Sequence, residues 1–99
     1  MKDYIFALLK SASKDHPMDR RHIAEVTQVP ERSIRLIINN LRNEGIRVVS
    51  DSESGGYWIA KNENEYKRFR AEYISRATKI FDTVKAMDGA TEGQIGGLA

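Results

Sequence analysis

Between Pro30 and Gly45 the segment ERSIRLIINNLRNE places Ile34, Ile37, Ile38 and Leu41 at helical spacing and sets Arg32, Arg35, Asn39, Asn40 and Arg42 between them. The apolar stripe commits one side of a helix to a core and leaves a guanidinium- and amide-bearing side behind. Pro30 suits the start of that helix, and Glu31 sits at the positive end of its dipole. Gly45 supplies a left-handed stop, and the aliphatic run IRVVS follows at once. A helix that passes directly into a β-rich stretch restricts the fold, because helix and strand must share one core. A chain of 99 residues has room for one modest core, so a single domain is expected.

The flanking sequence supplies the other elements. Tyr4, Ile5, Leu8, Leu9 and Ala12 recur on one helical face from Asp3 to Ser13. KDHPMD ends that helix, since Pro17 disfavours helical geometry at His16. Asp19 can cap a second helix in which Ile23, Ala24 and Val26 face inward. TQVPE is the turn into the third helix, 31–44. IRVVS and GYWIA, separated by the turn-former cluster DSESGG, read as a β-hairpin in which Tyr57 and Trp58 point to opposite faces. From Asn62 onward Tyr66, Phe69, Tyr73, Ala77, Ile80, Val84 and Met87 follow three- and four-residue steps, flanked by Ile74 and Phe81. A helix over 63–87 would be on the order of 37 Å long, more than a three-helix core of this size requires. The expected class is α+β, mostly α: three helices and a hairpin over residues 1–61, a long helix over 62–88, and a flexible glycine-rich tail over 89–99.

Composition removes several functional classes. The absence of cysteine excludes disulfides and thiolate metal sites. No run approaches the ~18 apolar residues of a membrane span, and the N-terminal segment lacks a cleavage site, so no membrane partner and a cytoplasmic location are expected. His16 and His22 stand in no metal-ligand spacing, and no glycine-rich phosphate loop follows a strand. Neither catalysis nor a cofactor or metal is expected. The net charge of +2 is small, but its distribution is uneven: Arg20, Arg21, Arg32, Arg35, Arg42 and Arg47 crowd into 20–47 against Glu25, Glu31 and Glu44. Arginine's planar fork of donors suits phosphate and guanine edges. An ordinary solvated surface is the plainer reading of the same residues.

The ordered pattern in HIAEVTQVPERSIRLIINNLRNEGIRVVSDSESGGYWIA resembles the winged helix-turn-helix domain, and within it the DNA-binding domain of biotin operon repressors and related bacterial regulators. The match covers residues 3–61. With its long C-terminal helix, the whole arrangement is similar to small winged-helix proteins encoded by bacteriophages or prophages. The resemblance implies that helix 31–44 lies in the major groove of double-stranded DNA. It assigns Arg32, Ser33 and Arg35 to base edges, with Leu36 and Asn39 further along the same outer face, and Arg20, Arg21 and Arg42 to phosphates. It points to a transcriptional or phage regulator. Gln28 stands where the family turn often has glycine, and the wing tip carries Asp51 and Glu53, which repel phosphate. Ser52, Ser54, the Gly55–Gly56 amides and Lys61 are therefore the better wing contacts.

Two alternatives stay open at this level. The same fold would also serve as a protein-interaction adaptor in a phage replication or assembly complex, for which the acidic wing and Leu36 speak. The C-terminal stripe either folds back on the domain or forms a homodimer through residues 66–87, and its spacing near 3.5 residues fits the second.

Overall fold

The computed structural model describes residues 1–89 as an α+β chain with four helices and one small antiparallel sheet. The elements are α1 (Lys2–Ser11), β1 (Met18–Asp19), α2 (Arg20–Thr27), α3 (Glu31–Asn43), β2 (Val48–Ser50), β3 (Gly56–Ile59) and α4 (Glu63–Asp88). Beyond Gly89, the expected glycine-rich tail lies outside the described residues. None of the described helices is long and apolar enough to cross a membrane.

Local sequence accounts for most boundaries. Asp19 caps α2 by accepting the His22 backbone N–H at 2.6 Å. Gln28 ends α2 with φ of 61°, a left-handed conformation more costly for glutamine than for glycine. Gly45 takes φ of +93° after α3, as its position predicts. The sheet order is β1-β3-β2, with Val49 opposite Trp58 and Met18 opposite Tyr57. β1 is absent from the sequence reading, which stops at a helix breaker there. Two residues carry no periodicity, and only pairing with β3 makes them a strand. That pairing explains Gly56: a Cβ there would sit 2.5 Å from the Pro17 Cβ, too close for any real pair of carbons.

Two apolar clusters hold residues 1–69, the first of two compact units into which the chain divides. In the first cluster Ile5 and Leu9 of α1, Ile23 of α2 and Ile34, Ile38 and Leu41 of α3 close over Val48. In the second, Ala12, Val49 and Trp58 meet Met18, Ala60, Tyr66 and Phe69. Tyr66 and Phe69 therefore belong to the first unit, and its boundary falls after Phe69 rather than at residue 61. Val26 and Tyr4, expected inward, are exposed; on α2 the inward position is taken by Thr27. Thr27 satisfies its buried hydroxyl locally, donating to the Ile23 carbonyl at 2.7 Å and accepting from the Val29 N–H at 3.3 Å.

The start of α4 is built by a small polar network. Asn62 Oδ1 accepts the Glu65 N–H at 2.9 Å. Glu65 Oε1 in turn accepts the Lys61 N–H at 3.0 Å and the indole N–H of Trp58 at 2.8 Å. These donors favour the ionised carboxylate and hold Glu65 below its ordinary value of 4.5, the Lys61 amide contributing most and Trp58 next. Since Glu65 titrates lower in the folded chain than in the unfolded one, its contribution is complete above 4.5 and disappears as the pH falls through the folded value. Urea unfolding between pH 7 and pH 3 is expected to show this loss in the wild type and a shallower pH dependence in Glu65→Gln. Equal slopes for the two proteins would remove Glu65 from the acid response.

Candidate nucleic-acid interface

α3 is thirteen residues long and presents a well-separated outer side. At about 100° per residue, Arg32, Leu36, Asn39 and Asn43 lie within roughly 40° of one direction, with Ile34, Ile38 and Leu41 opposite and Arg35 at the edge. Burial follows this geometry. Ile34, Ile38 and Leu41 are in the core, whereas Arg32, Arg35, Asn39 and Asn43 are exposed and Leu36 is 62% exposed. Arg32 and Arg35 form no ion pair or hydrogen bond through their side chains among the described residues. Their ten N–H donors, five on each guanidinium, face solvent from one side of a helix. Ser33 is half-buried at the start of the helix, where its N–H donates to the Pro30 carbonyl at 2.9 Å.

The cations expected on phosphates are placed differently from one another. Arg20 is near Glu31, Nε to Oε1 3.6 Å, and Arg21 is near Glu25 at 3.5 Å, one helical turn on. Both pairs are solvated and each is worth well under ~1 kcal/mol, so a phosphate competes with the carboxylates readily. Arg20, Arg21, Asp19, Glu31 and Asp51 also line one open hollow of about 360 Å³. Three carboxylates around two guanidiniums make this rim mixed in charge rather than plainly basic. The tip of the β2–β3 hairpin adds to this, with Asp51 Oδ1 accepting the Glu53 N–H at 2.9 Å.

One expected contact is corrected. Arg42 is not presented on the surface for phosphate. Its Nε donates to the Val48 carbonyl at 2.8 Å, and its guanidinium lies 4.8 Å from the Phe69 ring and 5.9 Å from the Tyr57 ring. It fastens the end of α3 to β2 and to the first turns of α4. A cation over two aromatic faces, partly withdrawn from water, is held by the ring quadrupoles as well as by the hydrogen bond. The sequence hint is that Arg42 follows Leu41 directly and so borders the buried stripe. Lys61 is exposed, its ammonium donating to the Lys10 carbonyl at the end of α1 at 3.2 Å. Arg47 is exposed as well; it pairs with Glu63 and stacks on Tyr66 at 4.0 Å.

Asn43 is the one outer-face residue of α3 that sequence reading missed. Its signal was its place one turn beyond Asn39. The structure thus brings Arg32, Arg35, Leu36 and Asn39 together on one exposed helix side, leaves Arg20 and Arg21 beside carboxylates, keeps Lys61 exposed, and withdraws Arg42 into structural contacts. No protein-family model, curated protein or solved structure matches the chain.

Proposed function

We propose that this chain is a sequence-specific double-stranded DNA-binding protein, a small winged helix-turn-helix regulator that reads the major groove with α3. The observation that carries this reading is the exposed side of α3, where Arg32 and Arg35 have no acidic partner among the described residues and Asn39 continues the same stripe. A helix of this diameter fits the major groove, guanidiniums suit guanine O6 and N7, and a carboxamide suits adenine N6 and N7. Leu36 is available for a thymine methyl group. Arg20 and Arg21 serve as phosphate contacts that exchange their weak carboxylate partners for DNA. In this reading the β2–β3 hairpin is the wing. Its acids keep the tip away from the backbone, so contact is concentrated on α3.

The test is duplex binding at increasing salt. Affinity should fall with a log–log slope of about −0.9 per neutralised phosphate, so Arg20 and Arg21 alone predict a slope near −2. Selection from a random duplex library should then return a defined half-site. No binding to any duplex at low salt defeats the proposal.

A second reading rests on Leu36, whose 62% exposure in the middle of α3 also suits a protein partner. It makes the chain an adaptor on the same scaffold. Stoichiometric capture of a protein through α3, together with indifference to duplex DNA, would select it.

A further inference from the structure

We propose that Arg42 is a positioning residue for base reading: it fixes the angle of α3 against the sheet and the first turns of α4, and so sets which bases Arg32, Arg35 and Asn39 reach. The inference rests on the DNA-binding reading of α3 and adds to it a residue that itself touches no DNA.

Its ground is the way α3 is held. The buried side of the helix is Ile34, Ile38 and Leu41, in one cluster with residues of α1 and α2. Apolar burial is non-directional, so it constrains rotation of the helix about its axis less sharply than a hydrogen bond does. At the first turn, Glu31 meets Arg20 across a solvated gap of 3.6 Å. Just past the last turn, Glu44 pairs with Lys2 of α1 at 2.7 Å, with both side chains about half exposed. Ion pairs so open to water hold little.

Arg42 is a different kind of tie. Its Nε donates to the Val48 carbonyl at 2.8 Å, and its Nη2 is buried. Its guanidinium lies over the rings of Phe69 on α4 and Tyr57 on β3. A guanidinium is planar, so its edge and its faces act in different directions. The edge fastens α3 to β2, and the faces fasten it to α4 and β3. Val48 belongs to the first apolar cluster and Phe69 packs against the second, so one side chain bridges both.

The reading side is sensitive to this tie. A group about 6 Å from the helix axis moves by roughly 1 Å when the helix turns by about 10°. Two parallel hydrogen bonds to one base are lost on that scale, since donor and acceptor must stay within about 2.7–3.2 Å. Recognition groups need to be held to about 0.5 Å and 10–20°. Arg42 shares α3 with all the proposed base contacts and sits three residues beyond Asn39, so fixing it directs the whole outer side.

The experiment is competition binding of the full chain to a duplex selected from a random library and to its scrambled counterpart, over a range of salt. The proteins compared are the wild type, Arg42→Met and Phe69→Leu. Arg42→Met keeps an unbranched stem and loses the cation and its donors. Phe69→Leu leaves Arg42 in place and removes a ring beneath it. Each variant should lose about tenfold in preference for the selected duplex, at the lower end of what one bidentate base contact supplies. Affinity for the scrambled duplex and the salt slope should not change, because phosphate contacts are kept. Partial unfolding weakens both duplexes by the same factor and leaves their ratio alone, so lost stability cannot imitate this result. Should Arg42→Met fail to fold, Phe69→Leu still decides. Uniform weakening by Arg42→Met, with a slope shallower by about one, makes Arg42 a phosphate contact and overturns the proposal. An unchanged ratio in either folded variant overturns it as well, while the DNA-binding reading stands. A wild type that binds no duplex, or binds all duplexes alike, defeats that reading itself and this inference with it.

Discussion

If α3 reads DNA as proposed, Arg32→Ala and Arg35→Ala, made singly and together, are expected to erase the preference for a selected duplex while sparing the fold. Each guanidinium that bridges guanine O6 and N7 is worth roughly 1–3 kcal/mol of discrimination. Each single variant should therefore lose about ten- to a hundredfold in preference, and at a different base pair in each case. The double variant should bind selected and scrambled duplexes almost alike. Folding should be untouched, since both side chains are exposed and neither makes a hydrogen bond or ion pair among the described residues. Arg20→Ala forms the contrast. It should weaken every duplex to a similar degree and lower the salt slope by about one, as expected for a contact that positions without reading. Competition titrations with selected and scrambled duplexes separate the two behaviours. If the double alanine variant keeps the wild-type preference, α3 is not the reading element and the DNA hypothesis in its present form fails.

Trp58→Ala should destabilise the first unit by about 3–5 kcal/mol, the range for removing a large aromatic side chain from a core. Trp58 is only 5% exposed, and it centres the cluster that joins Ala12, Val49, Tyr66 and Phe69. Its loss opens a cavity, removes the indole donor from Glu65, and loosens both the sheet and the first turns of α4. Domains of this size have small reserves, at the low end of ~5–15 kcal/mol, and lose about 4–8 °C of Tm per kcal/mol. The variant should therefore melt more than ten degrees below the wild type. Trp58→Phe keeps a ring in the cluster and gives up the Nε1–H bond, and should fall between the two. Far-ultraviolet melting curves test both. A Trp58→Ala protein within ~1 kcal/mol of wild type would mean that this second cluster does not hold the unit together.

The two expectations concern different kinds of residue, and that difference tracks how legible each was. The outer residues of α3 were readable because helical periodicity is local. Once Ile34, Ile38 and Leu41 are inside, Arg32, Leu36 and Asn39 have to be outside. Trp58 was readable as one of two alternating strand residues, though which of the pair went inward needed the sheet. Arg42 was misjudged for the opposite reason. Its partners are the Val48 carbonyl across the Gly45 turn and the rings of Tyr57 and Phe69 far along the chain. A charge at the border of an apolar stripe turns outward or inward according to what lies beside it, and no local pattern records that.

By itself, then, the sequence determined the helices, the left-handed stop at Gly45, the hairpin and the two sides of α3, since each depends on residues within one or two turns of one another. Tertiary structure alone decided the rest. Pairing with β3 made β1 a strand, and packing drew Arg42, Tyr66 and Phe69 partly out of water against the second cluster and its neighbours. It also set Arg20 beside Glu31 while leaving Arg32 and Arg35 without a carboxylate among the described residues. The physical reason is range: backbone conformation answers to neighbours in the chain, whereas the fate of a charged or aromatic side chain is settled by whatever the fold brings next to it.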